Sequence, residues 1–189
     1  MLTQNRYALK EWAVAIRHLA MGNHILVLRK GGILEVRKGF EIKHTEFFLF
    51  PTYVHQKRED LIEAAHKDLD DITKQYTPNG NVSLEYYAVV EATVKINDIT
   101  TLKKLAGLHI LSDSAVASRF NYREKGLNAL ILRVYKLQCS VSIVNTPEYD
   151  GCKSWVELEQ EIPTAGCEPV LSDGEFQKKV VAIRGVVKI

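Results

Sequence analysis

Two long runs of strand-forming residues constrain the fold of this chain more than any other feature. Residues 82–96 are rich in β-branched and aromatic side chains that alternate in part with polar ones, and residues 127–137 are mainly apolar. Partial alternation is typical of a half-buried strand, and a short apolar run is typical of a strand buried on both faces. The sequence therefore predicts a sheet built around two long strands.

Segments with helical periodicity lie on either side of these strands. Apolar residues recur at helical spacing over residues 9–20 and 58–75, and turn residues follow each segment, at Gly22-Asn23 and at residues 77–80. Three shorter helices are predicted at residues 99–105 with Asp98 as the cap, at residues 112–120 with Ser112 or Asp113 as the cap, and from Ser172 to near Arg184.

Shorter strands complete the predicted sheet. Residues 24–29 and 33–37 flank Gly31-Gly32 and predict a β-hairpin. Residues 46–50 predict a strand that Pro51 ends, because proline cannot donate to a strand ladder. Two further strands are predicted at residues 140–144 and 155–158. The predicted fold is therefore α+β, with a mixed or antiparallel sheet, or a partly open barrel, of about five to seven strands with flanking helices.

Length and composition predict one cytoplasmic domain. A chain of 189 residues usually forms a single core, here expected over residues 1–158, with a loop and a C-terminal helix from residues 159–189 packed on the same domain. The N-terminus does not have the pattern of a signal peptide, and no apolar run approaches the length of a membrane helix. Three widely spaced cysteines favour a reducing compartment. A net charge of +2 predicts no strong affinity for polyanions by itself.

Two cations lie beside the glycines of the predicted hairpin. Arg29 and Lys30 precede Gly31-Gly32, whose flexible main chain can approach a phosphate. The segment lacks the spacing of a P-loop or of a dinucleotide fingerprint. A solvated turn is the alternative interpretation.

A second group of polar residues surrounds the strand at residues 46–50. Glu46 begins this strand, and Tyr53, His55 and Gln56 follow it. Histidine can serve as a general base or a metal ligand, but no second histidine stands at ligand spacing, so no metal site is predicted. The alternative is a structural histidine that closes the turn.

Two further residues carry the remaining candidate chemistry. Arg133 lies inside a predicted buried strand, where a charge is costly unless it is paired. It is expected either to meet Glu91 or Glu46 or to read an anion at the sheet edge. Cys152 lies beside Lys153 in a segment that also offers a glycine, a hydroxyl and an aromatic ring, and a nucleophilic cysteine would need a nearby base.

Motifs spread over most of the chain are shared with one family. They are residues 8–15, Arg29-Lys30-Gly31-Gly32-Ile33, Phe50-Pro51-Thr52-Tyr53 with His55-Gln56, Leu132-Arg133-Val134-Tyr135, and Gly151-Cys152 with Ser154-Trp155. As a set they resemble a bacterial family known as a domain of unknown function, which is frequent in cyanobacteria. Lys153 stands where that family prefers arginine. The resemblance implies one domain from Ala8 to about Leu158 and implies no reaction.

Three classes of function follow from these residues. The preferred one is a binding module for nucleic acid or a nucleotide-like anionic ligand, in which cations hold phosphates and aromatic rings stack on bases. The second is a hydrolase or nuclease that uses His55 with Glu46 and Cys152. The third is a protein-interaction module, with a homo-oligomer among its expected forms. No cofactor and no membrane partner is predicted. The predicted ligand-binding residues are Arg29, Lys30, Tyr53, His55, Gln56, Arg133, Lys153 and Trp155.

Overall fold

The structure is a computed structural model that describes residues 1–30, 42–77, 80–149, 151 and 153–188. Its strands are β1 (Gln4–Trp12), β2 (Leu26–Arg29), β3 (Glu46–Thr52), β4 (Val82–Ile96), β5 (Leu127–Ile143), β6 (Trp155–Pro163) and β7 (Glu168–Pro169). Its helices are α1 (Ala13–Ala20), α2 (His66–Gln75), α3 (Ile99–Lys103), α4 (Asp113–Asn121) and α5 (Asp173–Arg184). The second half of the predicted hairpin, from Gly31 to Arg37, lies outside the described residues.

The strands form one open, mixed sheet. The strand order is β2-β5-β4-β3-β1-β6, and β7 pairs with β5. Strands β1 and β3 are parallel, with Leu9 opposite Leu49, whereas the other described pairs are antiparallel. The predicted α+β fold is confirmed. Because β1 and β3 run in the same direction, their carboxyl ends reach the same edge of the sheet.

The two long strands lie side by side, as the sequence indicates. Strand β4 has the predicted bounds, and β5 continues past residue 137 to Ile143, so that the separate strand predicted at residues 140–144 is wrong. The register explains the continuation, since Val82 at the start of β4 lies opposite Ile143. The ladder also tolerates two irregularities, at Leu84/Tyr86 and Val90/Ala92.

The first predicted helix is wrong in its first part. Residues 9–12 belong to β1, which pairs with β3 on one side and β6 on the other, and the helix begins only at Ala13. Ala8 and Leu9 are fully buried. Apolar residues at positions 9, 12, 13 and 16 satisfy helical spacing as well, so the boundary depends on pairing with distant strands.

The second predicted helix is shorter than expected. Residues 58–65 form two short 3₁₀ turns, and α2 begins at His66. Leu61 forms a β-bridge with Leu111, and the Ile62 amide donates to the Ile110 carbonyl at 2.9 Å, which excludes an α-helical chain at that point. Strand β3 also extends further than predicted, to Thr52. Pro51 is tolerated because β4 pairs only with residues 46–48 of β3.

The remaining helices begin at the predicted capping residues. The Asp98 carboxylate accepts from the Thr100 and Thr101 amides at the start of α3, and the Ser112 hydroxyl accepts from the Ala115 amide at the start of α4. A capping box of Ser172 and Glu175 opens α5.

All five described helices contribute to one apolar cluster against β2 and β5. Helix α5 supplies Phe176, Val180 and Ile183, each almost fully buried. Burial of a side chain of this size contributes about 1.5–3 kcal/mol. In the described part of the chain, no helix is both long enough and apolar enough to cross a membrane.

Candidate functional site

An open cleft with a volume of about 1440 Å³ lies at the edge of the sheet where β1 and β3 end. The end of β2, the first turns of α1, the carboxyl ends of α2 and α4, the start of β4 and the segment before β6 also contribute to its walls. Polar residues that follow separate strands are thereby brought together, because the parallel pairing of β1 and β3 aligns their ends.

Positive charge predominates along the described walls of this cleft. Two carboxylates, Glu11 and Glu85, line it. Its six cationic residues are Lys10, Arg17, Arg29, Lys30, Arg119 and Lys153. This imbalance favours an anionic ligand.

Arg29 is fixed by partners at the end of β1. Its Nη1 donates to the Glu11 carboxylate at 2.9 Å and to the Lys10 carbonyl at 3.0 Å, and its Nη2 donates to the Ser154 hydroxyl at 3.0 Å. The Glu11 side chain is 8% exposed and that of Arg29 is 15% exposed. Arg29 therefore ties β1, β2 and the start of β6 together while its charge faces the cleft.

Lys30 has a comparable structural position. Its ammonium donates to the carbonyls of Phe120, Glu124 and Gly126, which joins the end of α4 to the start of β5. Burial, followed by the nearby Lys95 charge, lowers the pKa of Lys30. Substitution of Lys30 would consequently disturb the fold as well as the cleft.

Arg119 on α4 is the residue that sequence reasoning missed. Its guanidinium lies 4.5 Å above the Trp12 ring centroid. Burial lowers its pKa, with a further lowering from Arg29, whereas the Glu11 carboxylate opposes that effect. The guanidinium makes no hydrogen bond to any residue that the structure describes. In the sequence it is one basic residue in the last turn of a short helix, which carries no distinctive signal.

Exposed apolar side chains form the rim of the cleft. Met21, Val54, Tyr76 and Tyr122 are among the most exposed large hydrophobic residues described, and all four line the cleft. The Tyr76 ring stacks on the predicted residue Tyr53 with centroids 4.4 Å apart and planes within 16°. The rim therefore offers an aromatic surface whose orientation is already set.

His55 and Gln56 leave the strand in different directions. His55 is exposed, lines the cleft and has a φ of 61°, an unusual value for a residue other than glycine. Gln56 does not line the cleft, because its Oε1 accepts from the Val14 amide at 3.0 Å and satisfies the start of α1.

Two predicted ligand-binding residues lie away from the cleft. Arg133 donates to Asp173 at 2.7 Å and lies over the Phe176 ring at 4.6 Å. The expected pairing with Glu91 or Glu46 is thus wrong, because α5 places a different carboxylate beside β5. Trp155 packs edge-on against Phe47 and also contacts His44.

Two of the three predicted catalytic residues, Glu46 and His55, lie toward opposite ends of β3. Glu46 binds the Leu2 amide at 2.7 Å and the Tyr87 hydroxyl at 3.1 Å, and it begins β3, whereas His55 follows the end of that strand. The six residue steps from Glu46 to Thr52 span about 20 Å of extended chain. Cys152 lies outside the described residues. Among those described, no three His, Cys, Asp or Glu side chains are placed to hold a metal ion.

The fold and the cleft define an α+β domain with one open mixed sheet and a cation-lined cleft at its strand ends. The chain belongs to the DUF1802 family, a domain of unknown function, whose family model matches residues 8–182. This match confirms the resemblance to a family of unknown function and extends past Leu158 into α5.

Solved structures provide further comparisons. A serine-to-alanine variant of the ASCH protein from Zymomonas mobilis is 14% identical with a TM-score of 0.45, over 96% of this chain and 98% of that one. The unsubstituted ASCH protein is 14% identical with a TM-score of 0.44, over 93% of each chain. A tyrosine-to-phenylalanine variant is 16% identical with a TM-score of 0.44, over 93% of this chain and 96% of that one. No curated protein matches the chain in sequence.

Proposed function

We propose that the chain is a binding module for nucleic acid or a nucleotide-like anionic ligand, which it holds in the cleft at the ends of β1 and β3. The observation that carries this proposal is the convergence of cationic and exposed aromatic side chains on one surface. Nucleic acids present the matching chemistry, since phosphates require cations and bases have aromatic faces.

Lys153 is the cation best suited to contact a phosphate directly. It is exposed and lines the cleft, and it makes no hydrogen bond or ion pair with another described residue. Arg17, by contrast, is already paired with Asp68 at 3.0 Å. A phosphate at Lys153 would displace only water and counterions, which predicts a marked dependence on salt.

Tyr76 is the ring best suited to stack on a base. It is 38% exposed, and its other face is supported by Tyr53. Stacking on such a ring contributes about 1–3 kcal/mol per base and requires a base that is free of the duplex. Single-stranded ligands are therefore expected to bind more tightly than duplexes.

The size of the cleft also supports this class of ligand. Its volume of about 1440 Å³ exceeds the roughly 300–1,000 Å³ that is usual for pockets that take small molecules. The cleft therefore has room for more than one nucleotide.

Fluorescence anisotropy with labelled single-stranded and duplex DNA and RNA over a salt series tests the proposal. We expect Lys153→Ala to weaken binding and to reduce the salt slope by about one charge. Lys178→Ala is the matched control, since Lys178 is an exposed lysine on α5 that does not line the cleft. Tyr76→Leu should weaken single-stranded binding with little effect on the salt slope.

Two results would oppose the proposal. The absence of binding at low salt would exclude nucleic acid as the ligand. Equal losses from Lys153→Ala and Lys178→Ala would show that any binding is spread over the surface rather than located in the cleft.

A further inference from the structure

We infer that the floor of the cleft is a site for a terminal phosphate, a phosphomonoester at the end of a strand or nucleotide, with Arg119 as its principal ligand. This inference rests on the proposed function and narrows it to one end group.

Arg119 lies at the bottom of the cleft. Together with Glu11 and Trp12 it lines both the cleft and a separate cavity of about 20 Å³ deeper in the protein, beside His18 and His109. Residues that face both spaces form the partition between them. A group bound at Arg119 therefore lies against the inner wall of the cleft.

The guanidinium of Arg119 is oriented and has donors to offer. Its central carbon lies over the Trp12 ring, 4.5 Å from the ring centroid, and the N–H groups of a guanidinium lie in its plane. None of these groups bonds to a residue in the described part of the chain. A partly buried guanidinium without acceptors is costly, and a phosphate can satisfy two of its donors at once.

The charge around Arg119 favours a dianion over a monoanion. The Arg29 charge is close enough to lower the pKa of Arg119, whereas two carboxylates raise it: Glu11, which binds Arg29, and Asp60, which does not line the cleft. Lys153 follows the same edge and adds a third cation to the cleft wall. A phosphomonoester carries about −1.5 to −2 charges near neutral pH, whereas an internal phosphodiester carries one.

The positions of the apolar and cationic side chains indicate that a nucleic-acid strand enters the cleft with one end first. The apolar side chains of Met21, Val54, Tyr76 and Tyr122 are exposed where they line the cleft, whereas the Arg29 side chain is only 15% exposed and Arg119 is half-buried. An internal phosphate has a nucleoside on both sides, and both would have to descend past this rim. A terminal phosphate enters first and leaves its base at the level of Tyr76.

The test compares one labelled single-stranded oligonucleotide that carries a 5′-phosphate, a 3′-phosphate or only hydroxyl ends. We expect one phosphorylated form to bind at least about tenfold more tightly than the hydroxyl form. This preference should fall between pH 7.5 and pH 5, because the second ionisation of a phosphomonoester has a pKa near 6. The hydroxyl form serves as the control for protein groups that titrate in that range.

Arg119→Met should remove the preference for the phosphorylated form while it retains an apolar stem over Trp12. Arg184→Met is the matched control, since Arg184 is an exposed arginine on α5 outside the cleft. If the Met variant does not fold, Arg119→Lys replaces it, and this variant should retain charge but lose most of the preference because the bidentate fork is absent.

The outcomes separate this inference from the proposed function. Equal affinity for the three forms overturns the terminal-phosphate site and leaves nucleic-acid binding in place. A preference that survives Arg119 substitution overturns the assignment to Arg119. Absence of binding for all three forms at low salt overturns both the inference and the proposed function.

Discussion

Replacement of the buried His109 should change how the stability of this domain depends on pH. His109 is 2% exposed, and burial lowers its pKa from 6.5 to about 4. The Leu111 amide donates to its Nδ1 at 3.2 Å, so that the neutral ring carries its proton on Nε2. Further protonation would have to occur at Nδ1, the atom that accepts this bond. His109→Asn retains an acceptor for the Leu111 amide and has no proton to gain.

The direction and size of the effect follow from the pKa of His109. Above pH 6.5 the histidine is neutral in both the folded and the unfolded chain and contributes no pH dependence. Between pH 6.5 and about 4 the unfolded chain binds a proton that the folded chain does not, so that the free energy of unfolding decreases as the pH falls. One proton corresponds to about 1.4 kcal/mol per pH unit, or about 3 kcal/mol over the whole interval.

Urea unfolding followed by far-UV circular dichroism at pH values from 4 to 8 measures this effect. The unfolding free energy of the wild type, relative to His109→Asn, should decrease by about 3 kcal/mol from pH 7 to pH 4. The pKa of His24 is also lowered to about 4, by burial and then by the His18 charge. Because His24 is present in both proteins, its effect on the unfolding free energy largely cancels in the comparison. Parallel pH profiles for the two proteins would refute the reasoning.

Two other substitutions test local contacts. Ser172→Ala removes the hydroxyl of the capping box that it forms with Glu175 and should cost about 1 kcal/mol, measured by urea unfolding; an unchanged midpoint would show that the cap is not stabilising α5. Tyr87→Phe removes a fully buried hydroxyl that accepts from Asn5 at 2.9 Å and donates to Glu46 at 3.1 Å, and should cost about 1–2 kcal/mol in the same assay; a neutral result would show that water replaces these bonds.

The parts of the fold that the sequence predicts well are those set by local chemistry. The capping residues Asp98, Ser112 and Ser172 begin their helices as predicted, because a cap requires only a side chain and amides two or three positions away. The bounds of β4 are also local, since β-branched and aromatic residues that alternate in part with polar ones fill the whole segment. The prediction of a helix at residues 9–12 is wrong because contacts with distant strands, not local chemistry, determine the structure there. These residues satisfy helical spacing, and pairing with β3 and β6, more than thirty residues away, decides their state.

The candidate site depends still more on distant pairing. Five of the predicted ligand-binding residues follow or precede a strand, and this position is what the sequence shows. In the structure they line one cleft: Arg29, Lys30, Tyr53, His55 and Lys153. A charge inside a buried strand needs a partner, and Asp173 meets this requirement for Arg133. The sequence does not identify that partner, because α5 reaches β5 only in the folded chain.

Net charge shows most clearly why sequence alone underestimates this site. The whole chain carries +2, which by itself predicts no strong affinity for polyanions, yet the described walls of the cleft contain six cationic residues against two carboxylates. Arg119 shows how cationic residues come to outnumber carboxylates in the cleft. It is an ordinary basic residue near the end of α4, and only the fold places its guanidinium over Trp12 at the end of β1. A concentration of charge of this kind is a property of topology. Salt dependence measured on single substitutions within and outside the cleft is consequently more informative about this protein than its overall charge.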